Sequence, residues 1–364
     1  MQVCFDHQIF SLQEYGGISR YFQELVHQLS GRPGYDVSVV CPLYINRHLR
    51  NDSKVPVKGV FLAKPPKLGR AVHAVNRFLT PAILGAMHPQ IVHETYYSSA
   101  RVAPARSKTV LTVFDMIHEK QKAHFLEGDR TTEAKRSAVA RADHVICISE
   151  STRRDLLELF QVDPAKTSVV YLAHSIDESL LKAKSRLVKE PYILHVGVRQ
   201  GYKNFRKLLE AYGSSERLKR DFSLVCIGAG PLDEGEKSLA RSLGIPENSL
   251  RWMKGGDYEL ANLYGHASLF VYPSLYEGFG IPPLEAMAMG CPVACGSVSS
   301  LSEVVGDAAE TFDPNSAEEI ARAMTHVLYS MERSAELVNA GTRRLERFSW
   351  KKCADDTCKI YEAL

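Results

Sequence analysis

Short apolar runs of strand length, each bounded by turn residues, alternate with helix-period stretches over nearly all of this chain. That alternation constrains the fold more than any other feature, because parallel strands need crossover connections, and the resulting sheets are covered by helices on both faces. In the first half the strand candidates are residues 2–6, 36–42, 90–94, 109–115, 144–149 and 168–172. Residues 18–30 follow Gly16-Gly17, carry Tyr21, Phe22, Leu25, Val26 and Leu29 at helical spacing, and stop at Gly31. Ser149, Ser151 and Thr152 offer capping oxygens to a helix that runs to Phe160.

Periodicity then fails between residues 177 and 190, a polar stretch with Lys182, Lys184, Arg186 and Lys189 that reads as a linker. A second alternation follows, with strands at 192–197, 223–228, 250–254, 268–272 and 292–295. Helices are expected at about 203–212, 233–243, 257–266 and 283–289. At 364 residues the chain is longer than one hydrophobic core usually serves. The expected architecture is therefore two doubly wound, Rossmann-like α/β domains in tandem, 1–186 and 187–348, with an amphipathic last helix at 349–364 returning to complete the first.

Composition narrows the function classes. No apolar run approaches the ~20 residues that span a bilayer, and residues 1–6 read as a strand rather than a secretory leader. A cytoplasmic protein is expected. Cys4, Cys147 and Cys226 lie inside apolar runs, and neither Cys291/Cys295 nor Cys353/Cys358 has zinc-knuckle spacing, so reduced, buried thiols are expected and no metal. The net charge of +3 is unevenly spread: residues 1–186 hold 25 Lys+Arg against 18 Asp+Glu. Much of that excess is Arg47, Arg50, Lys54, Lys58, Lys64, Lys67, Arg70 and Arg77, which face the single acid Asp52. Residues 45–77 read either as a solvated loop or as a patch for anionic lipid headgroups or a phosphate-bearing acceptor, which would make the protein peripheral at the inner face of the membrane. Only Phe61 and Phe78 supply nearby rings, too few for a nucleic-acid surface.

In open parallel sheets, ligands bind beyond the carboxyl ends of the strands. The most informative loop there is Tyr272-Pro273-Ser274-Leu275-Tyr276-Glu277-Gly278-Phe279-Gly280-Ile281-Pro282-Pro283-Leu284-Glu285, a strand, a glycine turn and a helix begun by proline. Gly278 and Gly280 let the backbone approach a ligand, and a helix start suits a diphosphate. Glu277 and Glu285 can accept hydrogen bonds from hydroxyls on either side of it, a transferred sugar on one and a ribose on the other. Arg199 and Lys203, after the strand that ends at Gly197, supply the cations a departing diphosphate needs.

With seven residues between Glu277 and Glu285, and Gly197, Arg199 and Lys203-Asn204 upstream, the chain resembles family 4 of the retaining glycosyltransferases, which have the GT-B fold of two such domains facing a central cleft. The stretches Ala142-Asp143-His144-Val145-Ile146-Cys147-Ile148-Ser149 and Ser299-Ser300-Leu301-Ser302-Glu303-Val304-Val305-Gly306 support the likeness, which runs from Gly16-Gly17 to about Pro314. The resemblance implies that Glu285 holds the ribose and Glu277 the transferred sugar, with Gly278, Phe279, Gly280 and Ile281 offering backbone N–H groups. It implies that Arg199 and Lys203 grip the diphosphate, that Gly16 and Gly17 approach it from the first domain, and that Gly228, Lys254 and Tyr258 line the nucleotide side. Where many relatives carry histidine after the 109–113 strand, this chain reads Phe114-Asp115-Met116-Ile117-His118. Either Asp115 or His118 faces the reacting sugar, or His118 only caps a loop; His93, Tyr96 and Tyr97 are candidates to line an acceptor site.

The implied activity moves a hexose from a nucleotide diphosphate sugar, UDP-glucose ahead of GDP-mannose, to a saccharide or lipid-diphosphate-linked saccharide, as in polysaccharide biosynthesis, with no cofactor or metal. The rivals are a GT-B nucleotide-sugar epimerase or hydrolase, which needs acid/base residues that only Asp115 and His118 could supply, and a non-catalytic sugar-nucleotide-binding protein. A nicotinamide dehydrogenase is disfavoured because Gly228-Ala229-Gly230 has Asp233 where the dinucleotide fingerprint has its third glycine.

Overall fold

The computed structural model describes residues 1–63, 69–182 and 185–364. They form two compact units: residues Met1–Leu172 with Trp350–Leu364, and residues Ala173–Ser349.

The sheet of the first unit contains β1 (Gln2–Phe5), β2 (Asp36–Tyr44), β3 (Val57–Phe61), β4 (Ile91–Glu94), β5 (Lys108–Val113), β6 (His144–Cys147) and β7 (Thr167–Val169). All are parallel, in the order β3-β2-β1-β4-β5-β6-β7, so the order reverses between β1 and β4. The helix Gly17–Leu29 buries Tyr21, Phe22, Leu25, Val26 and Leu29, the stripe its spacing predicts. Each buried side chain of this size contributes roughly 1.5–3 kcal/mol relative to exposure. Phe22 packs edge-on to Phe5, His93 and Phe114. The helix Trp350–Glu362 packs on this same helix, with Tyr361 and Cys353 fully buried and Arg32 paired to Asp355.

The sheet of the second unit contains β8 (Tyr192–Val196), β9 (Ser223–Ile227), β10 (Leu250–Met253), β11 (Leu269–Tyr272), β12 (Val293–Gly296) and β13 (Glu310–Phe312). The order is β10-β9-β8-β11-β12-β13, again parallel throughout, and reverses between β8 and β11. Its core joins Ile193, Leu224 and Leu269 of the sheet to Phe205, Leu208 and Leu209 of the helix Phe205–Gly213 and to Ile320, Met324 and Val327 of the helix Ala317–Leu328. The eight cysteines are buried thiols.

Two sequence expectations change. The units divide after Leu172 rather than at 186, because the turn Glu178–Lys182 packs against the helix Asp257–His266 and Asn262 holds the backbone of Ser185 and Leu187. Lys184, counted in the linker, lies outside the described residues. The 45–77 stretch is not a loop as a whole: it holds the short helix Arg47–Asn51, the edge strand β3 and the start of the helix Gly69–Met87. Arg47 pairs with Glu14 at 2.6 Å and Arg50 lies over the Phe61 ring, while Lys64 and Lys67 lie outside the described residues.

Candidate active site

The reversal between β8 and β11 opens a crevice at the carboxyl ends of the strands, where doubly wound sheets bind their ligands. The two chain segments leaving those strands are stitched together there. Leu275 N donates to Tyr202 O at 2.8 Å, and Asn204 Nδ2 donates to Pro273 O at 3.1 Å and Pro314 O at 2.7 Å. Asn204 holds a left-handed conformation, φ 58°, which asparagine tolerates better than most residues.

Lys203 stands at this join. Its ammonium donates to Glu277 Oε1 at 2.7 Å and to the Tyr272 hydroxyl at 2.8 Å, and both charged side chains are largely buried, 14% and 12% exposed. Burial first, then the Glu277 carboxylate, push the Tyr272 hydroxyl well above its usual pKa, so it remains a neutral phenol. Glu277 itself is pinned through its backbone: its N–H donates to Ser299 Oγ at 2.8 Å, and Ser300 Oγ shares its proton between Glu277 O at 2.8 Å and Phe279 O at 2.9 Å. Gly280 then turns the chain at φ 115° into the helix Ile281–Ala288, where a side chain at 280 would meet Leu301 Cδ2 at 2.7 Å. Pro282 and Pro283 carry no N–H, so backbone donors at this helix start are confined to Ile281 and the residues before it. Glu285, one turn further on, is 8% exposed and accepts from the Tyr264 hydroxyl at 3.2 Å.

Arg199 is turned elsewhere. Its guanidinium donates to both oxygens of Glu236, at 2.8 and 3.2 Å, and to the carbonyls of Gly228, Gly230 and Pro231. Glu236 also belongs to the capping box that starts the helix Glu234–Ser242, accepting from Asp233 N at 2.8 Å. One carboxylate thus joins Arg199, the loop after β9 and a helix start. Gly228, at φ 99°, lies so close to Gly197 that an added Cβ would meet three of its backbone atoms at 3.1 Å, so this glycine serves a loop-to-loop approach. A groove of about 500 Å³ runs between the helices Phe205–Gly213 and Glu234–Ser242 with Arg199 and Glu236 on its wall. Lys254 follows β10 on the surface, and Tyr258 lies half-buried in the first turn of the helix Asp257–His266.

In the first unit, Gly17 opens the helix Gly17–Leu29 with open space around its Cα, and Gly16 is extended. Asp115 Oδ1 accepts from Ile117 N at 3.0 Å and lies 3.8 Å from Lys135, whose fully buried ammonium donates to Asp115 O and to Glu119. His118 stacks on Phe125 at 4.0 Å with Nε2 3.6 Å from Asp129, so these two side chains hold its ring. His93 is not available to an acceptor. It is fully buried between Tyr361 OH at 2.6 Å and Thr112 Oγ1 at 2.8 Å, and burial lowers its pKa to about 3. Tyr97 is half-buried, its hydroxyl accepting from Phe114 N at 3.2 Å.

The structure therefore brings Lys203 and Glu277 together, seats Glu285 behind the same loop and commits Arg199 to Glu236. Tyr272, Glu236, Ser299 and Ser300 are the site residues that sequence reasoning passed over. Tyr272 was legible as the last residue of its strand; Glu236 carried no signal beyond the capping pattern Asp233-x-x-Glu236. Among the described residues, no three His, Cys, Asp or Glu side chains converge as a metal site, and no helix is long and apolar enough to cross a membrane.

Comparison with known proteins agrees with this arrangement. Residues 15–178 match the model described as Glycosyltransferase Family 4, and residues 177–344 that described as Glycosyl transferases group 1. The chain is 30% identical to O-antigen chain mannosyltransferase B of Escherichia coli over 74% of each chain, and 26% identical to α-maltose-1-phosphate synthase of Mycolicibacterium smegmatis over 99% of each. Among solved structures, the Anabaena protein HepE in complex with UDP-glucose superposes over the full length of both chains with a TM-score of 0.76 at 17% identity, which shows that the fold is GT-B.

Proposed function

We propose, from the premise that this chain belongs to the family 4-type GT-B glycosyltransferases, that it is a retaining hexosyltransferase whose donor diphosphate is neutralised by Lys203. The Lys203–Glu277 pair at the β8/β11 crevice carries this reading. A cation and a carboxylate held 2.7 Å apart, stiffened by Tyr272 and by two serines behind the loop, are preorganised for a phosphate oxygen on one side and a sugar hydroxyl on the other.

In this reading Glu277 accepts from hydroxyls of the transferred hexose and Glu285 from the ribose. The backbone of residues 278–281 meets sugar and phosphate, and Lys254 and Tyr258 lie towards the base. Arg199 supports the site through the loop it holds rather than by standing beside Lys203. The bond from the anomeric carbon to the phosphate oxygen breaks, the acceptor oxygen bonds on the same face, and the departing phosphate oxygen takes the acceptor's proton. Asp115 and His118 belong to the acceptor side. Lys203 and the backbone amides do the neutralising, without a resident metal.

A relative with 30% identity is named a mannosyltransferase, which supports a mannosyl donor such as GDP-mannose, while a solved neighbour holds UDP-glucose, which supports that donor; the acceptor in this reading is a saccharide or lipid-linked saccharide. Thermal-shift screening against GDP-mannose, UDP-glucose and their free nucleotides tests the donor, because a ligand bound only by the folded chain raises its melting temperature. Product analysis with and without a mannan acceptor tests transfer. Consumption of donor at the same rate without acceptor would identify a hydrolase or epimerase, and donor binding without turnover a non-catalytic protein.

A further inference from the structure

Among the described residues, no other lysine is as buried as Lys135, which is fully removed from solvent in the helix Thr131–Arg141. It takes one of only three buried positions on that helix, beside Ala138 and Val139, where an alkyl side chain would complete the apolar face. Its ammonium donates to Asp115 O at 2.9 Å and to Glu119 Oε2 at 2.8 Å, stands 3.8 Å from Asp115 Oδ1, and lies over the Tyr97 ring, 5.3 Å from its centroid. The Glu119 side chain is 4% exposed, and its Oε1 is buried without a hydrogen-bond partner among the described residues. Asp115, just beyond the carboxyl end of β5, is 30% exposed.

Stability alone does not explain this cluster. A buried ammonium carries a large desolvation cost, and a buried ion pair is often no more stable than apolar residues of similar volume. What distinguishes the arrangement is its gradient of exposure. Lys135 and Glu119 neutralise each other inside, so the negative charge left over belongs to Asp115, the one member that reaches solvent. Asp115 is held at both ends: Oδ1 accepts from Ile117 N at 3.0 Å and faces the ammonium, while its backbone carbonyl takes the ammonium's hydrogen bond. The residue before it is fixed as well, since Phe114 N donates to the hydroxyl of the same Tyr97 whose ring meets the ammonium. A carboxylate constrained in this way at the carboxyl end of a parallel strand, where doubly wound sheets bind their ligands, is prepared for a partner from outside the protein.

We infer that Lys135 is a positioning residue of the acceptor side: its buried ammonium sets the place and direction of the Asp115 carboxylate, which accepts a hydrogen bond from a hydroxyl of the acceptor saccharide and so aims the attacking oxygen. This rests on the reading that the chain transfers a hexose to an acceptor. Glu119 neutralises the ammonium from within the unit and does not touch the acceptor. The charge of the donor diphosphate falls to Lys203 of the second unit, so the influence of Lys135 shows in acceptor use and leaves donor binding alone.

Initial-rate release of nucleoside diphosphate from GDP-mannose or UDP-glucose, titrated against mannan and glucan oligosaccharides, tests it together with thermal melts of the full chain with and without donor. Lys135→Met alone would strand Glu119 as a buried charge. The pair Lys135→Met/Glu119→Leu is therefore used, with Lys135→Gln/Glu119→Gln as a second pair should the apolar one not fold. Asp115→Asn is expected to lower kcat/KM for the acceptor about 10- to 100-fold, and the pair to lower it to a similar extent while the donor still raises the melting temperature as in wild type. Adding Asp115→Asn to the pair should lower kcat/KM less than about threefold further, because both changes act through one carboxylate. A lysine that only holds the fold would instead give two losses that multiply. That multiplication, a pair within about twofold of wild-type kcat/KM, or the failure of both pairs to fold would overturn the inference. Wild-type transfer by Asp115→Asn would overturn it as well and leave the hexosyltransferase reading standing, whereas no acceptor-dependent release from the wild-type chain would remove that reading and this inference with it.

Discussion

Replacing Lys203 by methionine separates what the ammonium does for the fold from what it does for the reaction. In the unliganded site, Nζ sits 2.7 Å from Glu277 Oε1 with both groups largely buried. At an effective dielectric of ~20 the attraction is about 6 kcal/mol, most of it offset by the desolvation of two partly buried charges. The net loss of stability should be about 1–3 kcal/mol, a fall in melting temperature of about 2–12 °C for a unit of this size. The Tyr272 hydroxyl and the backbone pins from Ser299 and Ser300 remain, so the loop keeps its course. With donor bound, the same ammonium offsets charge developing on the departing diphosphate, and removing one preorganised donor of this kind costs a factor of about 10²–10³ in kcat. The assay is initial-rate release of nucleoside diphosphate at saturating donor and acceptor, paired with a thermal melt of the same preparation. A Lys203→Met variant within about twofold of wild-type kcat would refute the reasoning, whatever its melting temperature.

Arg199→Met should cost about 3 kcal/mol in urea unfolding, because Glu236 loses its bidentate partner while still buried; combined with Glu236→Leu the cost should fall short of the sum of the single variants by 1 kcal/mol or more, and strict additivity would remove the clamp. His93 is held near 3 by burial against about 6.5 in the unfolded chain, so between those values only the unfolded chain takes the proton. Stability of the first unit should therefore fall as pH drops below about 6.5, at up to about 1.4 kcal/mol per pH unit from this group; His93→Gln should flatten that slope in urea melts between pH 4.5 and 7, and an unchanged slope would contradict it. Gly280→Ala combines a left-handed φ of 115° with a 2.7 Å approach to Leu301, and should cost about 1–3 kcal/mol together with donor affinity; a variant melting like wild type would show that the loop relaxes freely.

The period of the apolar residues and the placing of glycine and proline were sufficient for the strands of the two sheets other than the edge strands β3 and β13, for the helix Gly17–Leu29 and for the turn from Glu277 into the helix Ile281–Ala288, because these are local consequences of backbone geometry. The helix Gly69–Met87 was not legible in the same way. Its inward stripe includes Asn76 and Thr80, which weakens the pattern a sequence reader counts, and only the docking on β2 explains why an amide belongs inside. The partners of the charged residues were equally beyond reach. Sequence marks Arg199 and Lys203 as two similar cations four positions apart, yet one meets Glu277 and the other Glu236. That choice is made by strand order: β11 lies beside β8 on one side and β9 on the other, so segments leaving β8 meet two different loops. Which residues can bear charge, turn the chain or fill a core was written along the chain; which of them face one another required the sheets to assemble, because an ion pair depends on distance in space and not on separation in sequence.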